Sequence, residues 1–231
     1  MRPAVLFSVR PRLLIGAAVA VSLLTACGSL RPLVTPAPQP KYYSLADSPS
    51  AVQPTKPQAR ADGSTAVTLI VTPPHSAAGF DSPRMMYLRR PDQLEYFAHN
   101  EWIDTPARML SPLIVAAIES RGTFRAVVPT PSPALGEVRL DTEILRLQQE
   151  FLATPGQVRF TLRAYLVETA TRRVIATREF EAVAAAPSED PRGGVTAAHT
   201  AVRSVLSELA DFCTRVVVEE WNRGGLRAPP P

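Results

Sequence analysis

Between residues 138 and 182 the chain alternates apolar and polar side chains with a period of two, and this limits the fold more than any other feature. Val158, Phe160, Leu162, Ala164 and Leu166 interleave with Arg159, Thr161, Arg163 and Tyr165, the pattern of a strand with one buried face. Val174, Ala176, Phe180 and Ala182 continue it after a turn at Thr171-Arg172. Upstream, Val138, Leu140 and Ile144 share one face while Leu145 and Leu147 take the other parity, which predicts a bulge near Ile144. Thr154-Pro155-Gly156-Gln157 predicts a tight turn with Pro at the first central position and Gly at the second. A sheet that is apolar on one side needs a cover, and the C-terminal segment supplies one. Val195, Ala198, Val202, Val205, Leu206, Leu209, Phe212, Cys213, Val216 and Val217 form a single stripe at helical spacing. Glu208, Asp211, Arg215 and Glu219 decorate its other side, Pro187 to Gly194 reads as the loop before it, and Gly224-Gly225 ends it.

The elements before residue 138 are shorter. Val67 to Val71 reads as a strand stopped by Pro73-Pro74, and Met85–Leu88 with Leu94–Ala98 as a strand pair around Arg89-Arg90-Pro91-Asp92. Asp104 or Thr105 can cap a helix that begins at Pro106. Met109, Leu110, Leu113, Ile114, Ala117 and Ile118 carry that helix to Arg121-Gly122, with Pro112 inside it. Pro112 removes a hydrogen bond, so the helix either kinks there or restarts with Ser111 as cap. Phe124–Val128 is a further short strand. The order strands, helix, strands, helix predicts a single α+β domain, with two main helices on one face of a mostly antiparallel sheet.

The N-terminus is of another kind. Arg2, Arg10 and Arg12 precede an apolar run from Leu13 to Leu24, which ends in Leu24-Thr25-Ala26-Cys27. This is the layout of a secretory signal, its apolar run too short for the roughly 20 residues of a spanning helix. The last four residues look like a bacterial lipobox, in which a cysteine thiol receives a diacylglycerol by thioether before cleavage. Residues 1–26 are thus expected to be a signal peptide and Cys27 the lipidated first residue of the mature chain. Several acyl chains on one residue make a stable anchor. Gly28, which is not Asp, favours sorting to the outer membrane by resemblance to other lipoproteins. Residues 27–40 read as a Pro-rich tether, 41–223 as the folded domain with a Pro-rich loop at 46–64, and 224–231 as a disordered tail. Seven prolines fall between Arg31 and Gln58, interrupted by the β-prone patch Tyr42-Tyr43-Ser44-Leu45, which is expected to dock as a short strand. About 14 residues from Gly28 to Lys41 would reach about 40 Å when extended.

Loss of the signal removes three arginines and lowers the formal charge from +4 to +1, so the basic balance is no nucleic-acid footprint. With Cys27 lipidated, Cys213 has no intrachain partner and reads as a buried thiol. His75, His99 and His199 lack ligands at metal spacing. His199 and Cys213 lie about 21 Å apart along one helix. Nucleophile elbows and phosphate-cradling glycine loops are absent from the sequence. The carboxylate pairs Asp141/Glu143 and Glu179/Glu181 each share a strand face, as solvent-facing positions commonly do. No catalytic residue, metal or cofactor is expected beyond covalent lipid on Cys27. The aromatic concentration from Leu94 to Trp102 reads mainly as core, with Tyr96 and Trp102 as candidates for a partner surface.

Taken in order, a lipobox, Tyr42-Tyr43-Ser44-Leu45, Val67–Val71, Tyr87, Leu94-x-Tyr96-Phe97, Trp102, a helix opening at Pro106, three strands containing Leu166-Val167-Glu168 and Val174, and an Ala-rich amphipathic helix resemble the ABC-type transport auxiliary lipoprotein family. These are the PqiC-like outer-membrane partners of MCE-domain transport systems. The resemblance runs from about residue 41 to 220. It implies that Tyr87, Tyr96 and Trp102 define the fold. It also implies a non-enzymatic role in envelope lipid traffic, on the periplasmic face of the outer membrane. The partners would be an MCE-domain protein and its permease and ATPase. Some members form rings, so homo-oligomerisation is implied as well. Competing expectations are an accessory lipoprotein of a lipopolysaccharide-transport or secretion complex, a periplasmic envelope enzyme using an acidic pair such as Asp141/Glu143, and a passive lipid-binding domain.

Overall fold

Thirteen residues, Val138–Glu150, form the strand around which the domain is organised, β7. The computed structural model describes residues 38–46, 65 and 67–226. The signal peptide, Cys27, nearly all of the tether and Pro-rich loop, and the last five residues lie outside the described residues. From Gln39 onward the chain forms one compact unit.

One edge of β7 pairs antiparallel along its length with β8 (Gln157–Glu168), and β8 with β9 (Val174–Ala185). The other edge takes three short strands end to end, all parallel to β7. β2 (Thr68–Val71) lies beside Val138–Leu140, β3 (His75–Ser76) beside Glu143–Ile144, and β4 (Arg84–Arg90) beside Gln148–Glu150. The chain from Thr68 to Arg90 is therefore one interrupted strand. Pro73-Pro74 forces the first break, since proline cannot donate to the ladder. β4 turns back antiparallel into β5 (Gln93–Trp102), β1 (Lys41–Tyr43) joins β5 in parallel, and β6 (Ala126–Pro129) pairs parallel with β2. The long ladders are antiparallel, as the alternation predicts; the short additions are mostly parallel, which local pattern does not reveal.

The register of β7 and β8 shifts between Ile144 and Arg146, placing the predicted bulge at Leu145. It lets Val138, Leu140 and Ile144, then Leu147, all enter the core although their parity changes. The turn after β7 differs from expectation. Gly156 is not among the glycines of positive φ, and the Thr154–Pro155 peptide is cis. Close approach explains this glycine better. Its N–H donates to Glu189 Oε1 at 2.6 Å, and a Cβ would lie 2.8 Å from Glu189 Oε2.

Helix α1 (Pro106–Glu119) has Thr105 at its N-cap and runs unbroken through Pro112, so it does not restart at Ser111. Pro112 and Arg108, whose carbonyl the proline leaves unpaired, are both exposed, so water can satisfy that group. Helix α2 spans Pro191–Asn222 and includes residues expected to be loop. Asp190 caps it by accepting from the Gly193 N–H at 2.7 Å, and proline suits the first helical position. Gly193 and Gly194 belong to its first turn because they pack tightly: a Cβ on Gly194 would lie 2.2 Å from Gln149 Oε1.

Both helices lie on one face of the sheet. Leu110, Ile114 and Ile118 of α1, Val205 and Leu209 of α2, and Leu140, Phe160 and Leu162 of the sheet are fully buried. Each such side chain contributes about 1.5–3 kcal/mol by leaving water. Phe180 and Phe212 meet edge to face at 5.6 Å between ring centres, joining β9 to α2. Among the described residues, no helix is long and apolar enough to cross a membrane.

Candidate functional site

The other face of the sheet carries the polar half of every alternating strand, and there the sequence-predicted carboxylates meet their partners. Asp141 accepts from Arg139 Nη2 at 2.8 Å and from the Thr72 hydroxyl at 2.9 Å. Arg163 of β8 stands between Glu143 of β7 at 3.4 Å and Glu179 of β9 at 3.0 Å. Arg159 bridges Glu150 at 2.9 Å and Glu181 at 2.6 Å, and Glu181 also accepts from the Thr161 hydroxyl. Arg139, Arg159 and Arg163 are held above the ordinary guanidinium range, first by hydrogen bonds to Asp141, Glu150 and Glu179 respectively.

Each acidic pair is thus divided between arginines of its own or neighbouring strands. A general acid needs a carboxyl raised toward neutrality, and arginine neighbours act in the opposite direction. Glu150 makes the point: burial pushes it up, but bonds from Arg159, Gln148 and Gln157 outweigh burial and leave it below the usual range. Sequence reading missed Glu150, and also Glu137, whose buried carboxylate accepts from the Thr68 N–H at 2.6 Å and pairs with Arg125 at 3.2 Å. Both look like ordinary polar positions in the sequence, and only non-local packing buries them.

The histidines are not brought together. His75 lies on β3, His99 on β5, and His199 on α2, where its Nε2 lies 2.8 Å from the Ser44 carbonyl oxygen. Among the described residues, no group of three or more His, Cys, Asp or Glu could hold a metal ion. Cys213 is fully buried, and burial pushes its thiol up to about 12.

The two aromatic candidates part company. Trp102, 4% exposed, belongs to the core beside Tyr43 and offers no surface. Tyr87 is buried against Phe97 and Phe151, with ring centres 4.5 and 5.9 Å away, and donates from its hydroxyl to Glu95. Tyr96, expected to define the fold with them, is 49% exposed on the polar face and has the Arg84 guanidinium 4.3 Å from its ring centre. The reason is parity. Glu95 pairs with Tyr87, so its neighbour Tyr96 points away from the core.

Two clefts flank this framework. One, of about 340 Å³, lies between α1 and α2, with Leu113, Ala117, Val202 and Leu206 as its apolar wall and Leu45 at its end. The other, about 460 Å³, opens on the polar face between Phe80 and the β4–β5 turn, against Leu94, Leu145 and Leu152. Ser120, Ser207 and His199 also line the first cleft.

Comparison with known proteins agrees with this picture. The crystal structure of protein XCC0632 from Xanthomonas campestris, of the DUF330 family, is 22% identical and superposes with a TM-score of 0.62 over 69% of this chain and 90% of that one. An uncharacterized protein of known structure, 13% identical, gives 0.56 over 78% and 99%. These likenesses establish the fold. No match was found among curated proteins. The family model of the ABC-type transport auxiliary lipoprotein component matches residues 43–210, from inside β1 to the middle of α2. The chain therefore belongs to the ABC-type transport auxiliary lipoprotein component family.

Proposed function

We propose that the protein is lipidated on Cys27, held on the periplasmic face of the outer membrane, and serves there as a non-enzymatic docking component of an MCE/ABC-type intermembrane lipid transport system. The observation that carries this reading is the family match over residues 43–210 on a chain whose first 27 residues have the layout of a lipoprotein signal. Membership makes it an auxiliary part of a transporter, and Gly28 after the cysteine favours the outer membrane. The arginine-paired face supports a role without chemistry, since its carboxylates are committed to structure. The partners would be an MCE-domain protein with its permease and ATPase, and homo-oligomerisation fits the ring-forming habit that the resemblance implies. Affinity purification of the tagged, lipidated protein from gently crosslinked membranes tests the reading. Recovery of an MCE-domain protein with its permease and ATPase is expected. Recovery of a β-barrel or secretin without them would replace it with the lipopolysaccharide-transport or secretion alternative.

A further inference from the structure

The chain enters the domain at Lys41, on the edge of the sheet, and the side chains around that entry differ from the rest of the polar face. Tyr42 pairs with Glu101 in a parallel ladder, so both point to the same side, and Glu101 pairs in turn with Arg84. Arg84 lies over the ring of Tyr96. Ile103 follows directly, its N–H donating to the Tyr43 carbonyl at 2.7 Å. Tyr42, Tyr96 and Ile103 are 56%, 49% and 63% exposed. Elsewhere the centre of this face is covered with ion pairs, whereas this corner presents two tyrosines and an isoleucine, with Arg84 and Glu101 beside them.

We infer that this corner seats in the interface of the membrane that carries the lipid anchor. The inference rests on the lipidation of Cys27 proposed above. Two observations select a lipid surface as the occupant. First, only about 14 residues, reaching about 40 Å at most, separate the anchor from Tyr42, so this is the corner of the domain that the anchor reaches with least chain. Tethering at that length gives an effective concentration in the millimolar range, and a patch with only millimolar affinity for lipid is then substantially bound. Second, the chemistry suits the headgroup layer. Tyrosine presents an apolar ring with a polar tip and is enriched at membrane interfaces. Arg84, held over Tyr96, places a cation where phosphate groups lie, and Ile103 supplies apolar surface to the acyl boundary.

The test uses the full lipidated chain in vesicles of phosphatidylethanolamine and phosphatidylglycerol, its acylation confirmed by intact mass. A nitroxide is placed on an Ile103→Cys variant and, for reference, on an Arg215→Cys variant on the exposed side of α2. Cys213 is buried and Cys27 blocked by its thioether, so each variant carries one label. Collision rates with oxygen, which partitions into lipid, and with a water-soluble nickel complex are read by electron paramagnetic resonance. The expected result is a several-fold lower nickel collision rate at Ile103 than at Arg215, with oxygen access retained. Adding Tyr42→Glu and Tyr96→Glu, both surface changes, should raise the nickel rate at Ile103 toward that at Arg215. Equal nickel access at the two sites in the acylated chain would overturn the inference and leave the anchor standing. Exclusion of both reagents at Ile103 would overturn it too, and would point to a second copy or a protein partner on this corner. A mass without acyl groups would overturn the anchor and the inference together.

Discussion

Replacing Glu150 removes the acceptor at the centre of four hydrogen bonds. Arg159 donates from Nε at 2.9 Å and Nη2 at 3.3 Å, Gln148 Nε2 at 2.9 Å and Gln157 Nε2 at 3.0 Å. The Glu150 side chain is only 6% exposed. Breaking a buried ion pair by removing one partner costs about 3–5 kcal/mol. Here the loss is smaller, because Arg159 is 25% exposed and keeps Glu181 at 2.6 Å. Glu150→Ala should therefore cost about 2–3 kcal/mol. Glu150→Gln keeps the shape and one acceptor, loses the charge, and should cost about half as much. Urea titration followed by far-ultraviolet circular dichroism reads the difference, with the alanine variant's midpoint about 1 M lower at unchanged slope. The pH dependence has a definite sign. The Glu150 carboxyl is lowered on folding, so its contribution is complete above the unfolded value near pH 4 and disappears as pH falls through the lower folded value. Wild type and Glu150→Gln should converge in stability below about pH 4. A gap that stays constant down to pH 3, or an alanine variant as stable as wild type at pH 7, would refute the assignment of net stability to this cluster.

Ile114 is fully buried between α1 and the sheet, so Ile114→Ala should cost about 3 kcal/mol in the same urea titration, with a cooperative transition. Thiol titration separates the two cysteines: the native lipidated chain should show no reactive thiol and the unfolded chain one, because Cys213 is buried with its thiol pushed up to about 12 and Cys27 is blocked. The double variant Asp141→Asn/Glu143→Gln removes exposed or half-buried ion pairs; it should cost under about 1 kcal/mol and leave complementation of a deletion strain intact. Loss of complementation by a folded, membrane-bound double variant would instead revive the enzymatic reading.

What could be read ahead of the structure was whatever local periodicity encodes. The alternation of β8 and β9, the parity change that became the Leu145 bulge, and the apolar stripe of α2 each depend on residues within a few positions of one another. The partners of the short strands do not. Nothing near Thr68, His75 or Arg84 states that all three strands lie along one edge of β7, because parallel pairing is settled by connections many residues long. The same limit hid Glu137 and Glu150, whose burial depends on Thr68, Arg125 and Arg159 arriving from elsewhere. The start of α2 is different. Asp190-Pro191 carries the same cap-then-proline signal as Thr105-Pro106, and two glycines mask it. Those glycines answer a packing demand from Ser188 and Gln149, which a propensity argument would count as loop. The family resemblance groups Tyr96 with Tyr87 and Trp102, whereas the pairing of Tyr87 with Glu95 puts Tyr96 on the opposite face from Tyr87.

How β1 joins the domain follows from the same parity. β1 is three residues long, and its backbone pairing with β5 would be marginal alone. It is held by additional contacts: Leu45 enters the core at 2% exposure, the Tyr43 hydroxyl reaches Asn100 Oδ1 at 3.3 Å, and the Ser44 carbonyl meets His199 of α2. Tension arriving from the N-terminal side is therefore shared between β5 and the long helix. It loads the β1–β5 ladder along the strand direction, so that several bonds must fail together. Under the lipidation of Cys27 proposed above, such a junction suits a domain that hangs from one end and must keep its orientation. It also leaves Tyr42 exposed on the side of the strand opposite Tyr43.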